Sequence, residues 1–156
     1  MAAFRLSSPA FDNDDDIPLR YTQGGDDVSP PMTWDDLPDG TKELVLVCED
    51  PDADEGVFTH WVVYGINPEE TTSLPEDVGS QALITEPTEF CQGLNEYDMS
   101  GYTGPPAADD RGPHRFFFRL YALDTELDVP PGISRADLRE AAKHHVIGTA
   151  ELVGIG

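Results

Sequence analysis

Glu43-Leu44-Val45-Leu46-Val47-Cys48-Glu49 and, after the acidic turn Asp50-Pro51-Asp52-Ala53, Phe58-Thr59-His60-Trp61-Val62-Val63-Tyr64-Gly65-Ile66 form two apolar runs joined by a short loop. Both are rich in β-branched, aliphatic or aromatic residues and lack proline, which predicts strands over 43–49 and 58–66. A third run begins at His114 and carries Phe116-Phe117-Phe118, Leu120 and Tyr121, predicting a strand over 114–123. Apolar residues of both parities imply strands covered on both faces, as in the central sheet of a layered domain.

Working outward, residues 7–42 hold Asp14-Asp15-Asp16, Gly24-Gly25-Asp26-Asp27 and Pro30-Pro31, which read as loops and short edge strands. One helix is signalled near the C-terminus. Ser134 is a candidate N-cap, Asp137 lies in the first turn, and Ile133 and Leu138 are spaced as a hydrophobic staple. His144 and His145 are expected in the last turn, where positive charge is favoured. A closing strand is expected over 146–153. Together these elements predict a mainly β domain with one or two short helices, spanning 1–156.

The composition bounds the function. The chain has 156 residues, 31 Asp and Glu against 9 Lys and Arg, and a formal charge of −22. Disorder is the ordinary reading of such acidity, but 38% of residues are hydrophobic and fall in patterned runs. A folded domain this acidic repels itself at low ionic strength. Molar salt shrinks the Debye length to about 3 Å and removes most of that repulsion. A halophilic, salt-rich cytoplasm is therefore expected. The charge argues against nucleic acid, whose binding rests on basic contacts to phosphates. No apolar run approaches the ~20 residues of a membrane span, and Met1-Ala2-Ala3-Phe4-Arg5-Leu6 has no secretory apolar region. Cys48 and Cys91 make no CxxC, so Cys48 is expected as a buried free thiol.

Alternation gathers the chemistry at strand ends. Leu44, Leu46 and Cys48 share a face that Asp50 ends in phase. His60 leads Val62, Tyr64 and Ile66, and His114 leads Phe116, Phe118, Leu120 and Ala122. If the first two strands are antiparallel neighbours, Asp50 and His60 meet at one end of the sheet. His114 joins them if its strand runs parallel to the second. The result is a polar pocket on the rim of an apolar core. A single histidine on an apolar face is ordinarily structural, and three groups in phase leave both readings open. Asp52 is expected to brace the Asp50 loop, Asp54 and Glu55 to be solvated, and out-of-phase Arg115 to form a structural ion pair. Gly101-Tyr102-Thr103-Gly104-Pro105-Pro106 lies close before His114, and its glycines suit close approach of backbone N–H groups to an anion.

These segments together resemble the phosphatidylethanolamine-binding protein family, in its prokaryotic, Raf-kinase-inhibitor-like branch. The matching pieces are Ser29-Pro30-Pro31-Met32-Thr33-Trp34, Asp50-Pro51-Asp52-Ala53, Phe58-Thr59-His60-Trp61 and Gly101-Tyr102-Thr103-Gly104-Pro105-Pro106. Gly112-Pro113-His114-Arg115-Phe116 and Leu120-Tyr121-Ala122-Leu123-Asp124 complete the set. The resemblance implies an antiparallel, Greek-key-like β-sandwich with an anion cavity lined by Asp50, His60, Gly104, Pro105 and His114. Asp52, Pro106 and Arg115 would support it. It implies no cofactor and no metal, a small phosphate-like anion as ligand, relatives that modulate kinases or other signalling proteins, and frequent homodimers. Three departures stand out. Asp54 replaces a common proline, Phe116 replaces a common tyrosine, and the acidic stretch 107–111 is slightly longer than usual.

The expected function is thus a binding module rather than an enzyme, with His60 and His114 donating to an oxyanion and Asp50 orienting a histidine. A carboxylate beside an imidazole favours the imidazolium, so binding is expected to strengthen below about pH 6.5. The alternative is a metal-dependent phosphoester hydrolase using Asp50, Asp52, His60 and His114. A further alternative is an interaction protein whose acidic surface inhibits a protein partner.

Overall fold

The structure is a computed structural model that describes residues 3–54, 56–106 and 113–156. Glu55, the stretch 107–111, Gly112 and the first two residues therefore lie outside the described residues. The elements run β1 Arg5–Ser7, a 3-10 turn Leu19–Tyr21, β2 Met32–Asp35, β3 Glu43–Asp50, β4 Phe58–Ile66 and β5 Ser73–Leu74. There follow β6 Leu83–Ile84, β7 Phe90–Gln92, β8 Arg115–Leu123, α1 Arg135–Ala142 and β9 Val146–Ile155. One sheet has the order β1-β2-β5 and the other β6-β7-β4-β3-β8-β9, with every pairing between named strands antiparallel.

The three strands anticipated from sequence are neighbours at the centre of the larger sheet. Because β3 is antiparallel to both β4 and β8, those two run parallel to each other on either side of it. Between the sheets, Leu44, Leu46, Cys48, Trp61, Phe116, Phe118 and Leu120 pack with Leu6, Met32 and Trp34. On the other face, Val45, Val62, Tyr64 and Leu123 pack with Leu138, Ile133 and their neighbours around α1. Burial on both faces is why the central strands read as continuous apolar runs. Leu46 is fully buried, and truncating such a side chain to alanine costs about 2–5 kcal/mol through lost transfer energy and the void left behind.

The helix starts where its cap demands, with Ser134 Oγ accepting from the amide of Asp137 at 3.2 Å. It ends a turn earlier than expected. Lys143 is its C-cap, and His144 and His145 stand beyond it, with His145 Nδ1 2.9 Å from Asp124 Oδ1. Cys48 is a buried free thiol, as expected. Among the described residues no helix is long and apolar enough to cross a membrane.

Candidate functional site

Asp50 ends β3 and His114 stands one residue before β8, so the β3–β8 pairing holds them at the same end of the sheet. His114 Nδ1 lies 2.7 Å from Asp50 Oδ2. A carboxylate can only accept there, so Nδ1 carries the proton and Nε2 is the ring nitrogen that Asp50 does not engage. The other carboxylate oxygen, Asp50 Oδ1, accepts from the amide of Asp52 at 2.8 Å and folds the turn back on the strand. The backbone of His114 is tied to Gly156, whose carbonyl accepts at 2.7 Å and whose amide donates at 2.9 Å.

His60 reaches the same face by a different route. Simple alternation would place it with Val62 and Tyr64, on the helix side. Instead Cys48 pairs with Trp61 and Glu49 with Thr59, a register shift that leaves His60 as the extra residue of a β-bulge. The bulge moves the imidazole onto the side of Trp61 and Phe116, with its ring 5.0 Å from that of Phe116. Ile66 likewise belongs to the core between the sheets rather than to the Val62 face, after a second shift in the β3–β4 register. The sequence-based grouping of His60 with Val62, Tyr64 and Ile66 is therefore corrected, and the ring lies near enough to Asp50 to feel its charge.

His60 Nδ1 lies 2.6 Å from the Thr103 carbonyl. A carbonyl accepts, so here too Nδ1 is protonated and Nε2 is left to titrate. The ring sits among Phe58, Tyr97 and Phe116. Burial lowers its pKa, against the opposing pull of the Thr103 contact and of Asp50, Asp27 and Glu96. Desolvation wins because His60 is only 2% exposed.

The Gly-Pro loop differs from expectation. The amide of Gly104 donates to Asp27 Oδ1 at 2.7 Å, so it is already committed. Gly104 is a glycine because protein packs on it, since a Cβ there would lie 2.1 Å from the Tyr21 carbonyl oxygen. Pro105 is buried, with its carbonyl accepting from the amide of Gln23 at 2.9 Å, whereas Pro106 is exposed. Asp52 supports from outside. Its carboxylate takes Arg115 Nη2 at 2.8 Å and Nε at 3.0 Å, and the Arg115 amide at 2.9 Å. That clamp brings the Asp52 carboxyl down to about 2. Arg115 is thus the structural ion-pair partner its parity suggested.

Sequence reasoning missed Asp27, Tyr97 and Gln23. Asp27 is half-buried and burial raises its pKa, with the Gly104 amide and the charge of His60 pulling it back. Gln23 Nε2 joins the loop to the aromatic wall, donating to the Gly104 carbonyl and the Tyr97 hydroxyl, each at 3.0 Å. Asp27 follows a Gly-Gly pair and reads as turn punctuation, so only its left-handed φ of 54° marks it.

The residues of the hydrolase alternative do not assemble as a ligand set. Asp52 is engaged by Arg115, and among the described residues no three or more His, Cys, Asp or Glu are placed to hold a metal ion.

Residues 7–155 match the model of the phosphatidylethanolamine-binding protein family. The chain belongs to that family. A UPF0098 protein of Methanothermobacter thermautotrophicus is 45% identical over 96% of each chain. A UPF0098 protein of Aquifex aeolicus is 41% identical over 99% of this chain and 88% of its own. Among solved structures, a homologue of phosphatidylethanolamine-binding protein from Chlamydia trachomatis superposes with a TM-score of 0.86 at 36% identity, covering 99% of this chain and 97% of its own. The YbcL protein of E. coli, described as a member of the mammalian family, gives 0.89 at 28% identity, covering 99% and 98%. For this member of the phosphatidylethanolamine-binding protein family, the mainly β, two-sheet architecture expected from sequence is the one shared with both solved relatives.

Proposed function

We propose that this family member binds a small phosphate-like oxyanion at the rim formed by Asp50, His60 and His114, taking up a proton as it does so. The observation that carries the reading is the pair of locked imidazoles. Asp50 and the Thr103 carbonyl hold the two Nδ1 atoms, which leaves each Nε2 to meet a ligand. With the Gly104 amide already bonded to Asp27, the histidines rather than a backbone cradle supply the recognition.

The electrostatics set the conditions. Burial favours neutral His60, and an oxyanion offers most to the charged ring, so affinity should rise as pH falls. A net charge of −22 repels an anion at long range, and molar salt screens that repulsion. We place the protein in a salt-rich cytoplasm, where affinity rises with chloride until chloride competes for the site. Calorimetric titration with inorganic phosphate in about 2 M chloride, from about pH 5.5 to 8, tests this. Tighter binding at the acidic end, with net proton uptake seen as a buffer-dependent heat, supports the reading. Constant affinity across the range removes the histidines from it.

A further inference from the structure

A cavity of about 190 Å³ lies between α1 and the face of the larger sheet that turns away from the candidate site. Its floor is apolar, built from Val45, Val47 and Val62, and Leu138 and Ala142 of the helix close it above. Thr59 reaches into it, whereas His60, the next residue, is turned by the bulge to the opposite face. The cavity is somewhat larger than the roughly 150 Å³ void that accommodates a benzene ring, and an apolar void of this kind takes an apolar guest.

Its rim gathers positive charge that is scarce in the rest of the chain. Lys and Arg number only 9 against 31 acids, yet Arg135, Arg139 and Lys143, spaced four apart along the helix and its cap, all border this cavity. Arg135 pairs with Glu96 at 2.7 Å and Lys143 with Glu140 at 2.7 Å. Arg139 has no ion-pair partner among the described residues. The acid at the mouth, Glu49, lies 3.5 Å from Arg119, which it shares with Glu151 at 2.9 Å. An unpaired guanidinium over an apolar hollow fits a ligand with an apolar body and an anionic end, since a planar carboxylate meets arginine through two parallel hydrogen bonds.

We infer that this cavity is a binding site for a small aromatic or short-chain monocarboxylate, its apolar part on Val62 and Leu138 and its carboxylate on Arg139. The site is separate from the proposed anion pocket and does not depend on it.

The test uses 3-phenylpropanoate, the matching neutral alcohol and the matching primary amine, titrated into the whole chain in about 2 M chloride. Methyl signals of Val62 and Leu138 and the ring signals of His60 and His114 are followed by NMR. Saturable methyl shifts are expected with the carboxylate, at least about tenfold weaker binding with the alcohol, and unmoved histidine rings. Ala142→Leu fills the hollow and should abolish the response. Arg139→Gln changes an exposed side chain, leaves the fold intact, and should weaken binding about tenfold. Absence of saturable methyl shifts in the unaltered chain overturns the inference. So does equal affinity for the alcohol or the amine, or full affinity in Arg139→Gln.

Discussion

His114 Nδ1 stands 2.7 Å from Asp50 Oδ2 across the β3–β8 pair, and the same carboxylate takes the Asp52 amide at 2.8 Å on its other oxygen. Both oxygens of Asp50 therefore act as acceptors, and an amide cannot do both. In Asp50→Asn the NH2 group must face one of the two donors. Turning it toward His114 costs least, because the imidazole can move its proton from Nδ1 to Nε2. We expect a loss of about 1–3 kcal/mol in denaturant unfolding and a switch of the His114 tautomer in long-range proton–nitrogen spectra. A variant of unchanged stability whose His114 keeps its Nδ1 proton would contradict the contact.

His60 gives a pH window with a defined sign. Burial sets its folded pKa below the value of about 6.5 in an unfolded chain. Above that value both states are neutral and the group has no effect. As pH falls below it, the unfolded chain takes a proton that the folded chain resists, so stability is lost down through the folded pKa. His60→Phe should flatten the decline below about pH 6.5 relative to the unaltered chain. Parallel declines in urea midpoint would show that another group titrates there. The Asp52 clamp is separate, since its carboxyl at about 2 is lost only in far stronger acid.

Asp27 is held ionised at a cost, because burial raises its pKa while the Gly104 amide bonds to it. An asparagine keeps an acceptor without the buried charge. Asp27→Asn should therefore match or exceed the unaltered chain in stability at neutral pH. Asp27→Ala strands the Gly104 amide and should cost about 1–3 kcal/mol. Thermal unfolding of the two variants at one salt concentration decides the matter, and equal loss in both would mean that the carboxylate itself is needed.

Charge predicts a salt requirement. A formal −22 on a 17.1 kDa chain is repulsive at low ionic strength, and screening at about 1 M removes most of the repulsion. Unfolding midpoints should climb with potassium chloride from dilute buffer to molar concentration. A midpoint that does not move would take away the argument for a salt-rich cytoplasm.

The sequence was most legible where two-residue alternation runs unbroken. Along β8, His114 shares its face with Phe116, Phe118, Leu120 and Ala122, four residues of the core between the sheets. The β4 strand matched its expected limits of 58 and 66, but parity failed inside it. A bulge adds one residue without any compositional mark, and every side chain beyond it changes face. His60 therefore arrived at the right place for a reason alternation does not contain. The loops were least legible. Asp27 and Gly104 are separated by 77 positions, and nothing local to either announces the bond that removes the Gly104 amide from the site. The helix end was misjudged because Lys143, His144 and His145 carry the charge expected of a last turn, while the hydrogen bond from His145 to Asp124 draws the chain toward β9 instead.

The most direct measurement follows the histidine ring signals by NMR while inorganic phosphate, and separately O-phosphoethanolamine, is added in about 2 M chloride. The account predicts saturable shifts at His60 and His114 with both ligands, growing as pH falls, and loss of the His60 response in His114→Ala. Rings that do not respond at any pH, in a protein whose fold is intact, would contradict the proposal that these two imidazoles form an oxyanion site.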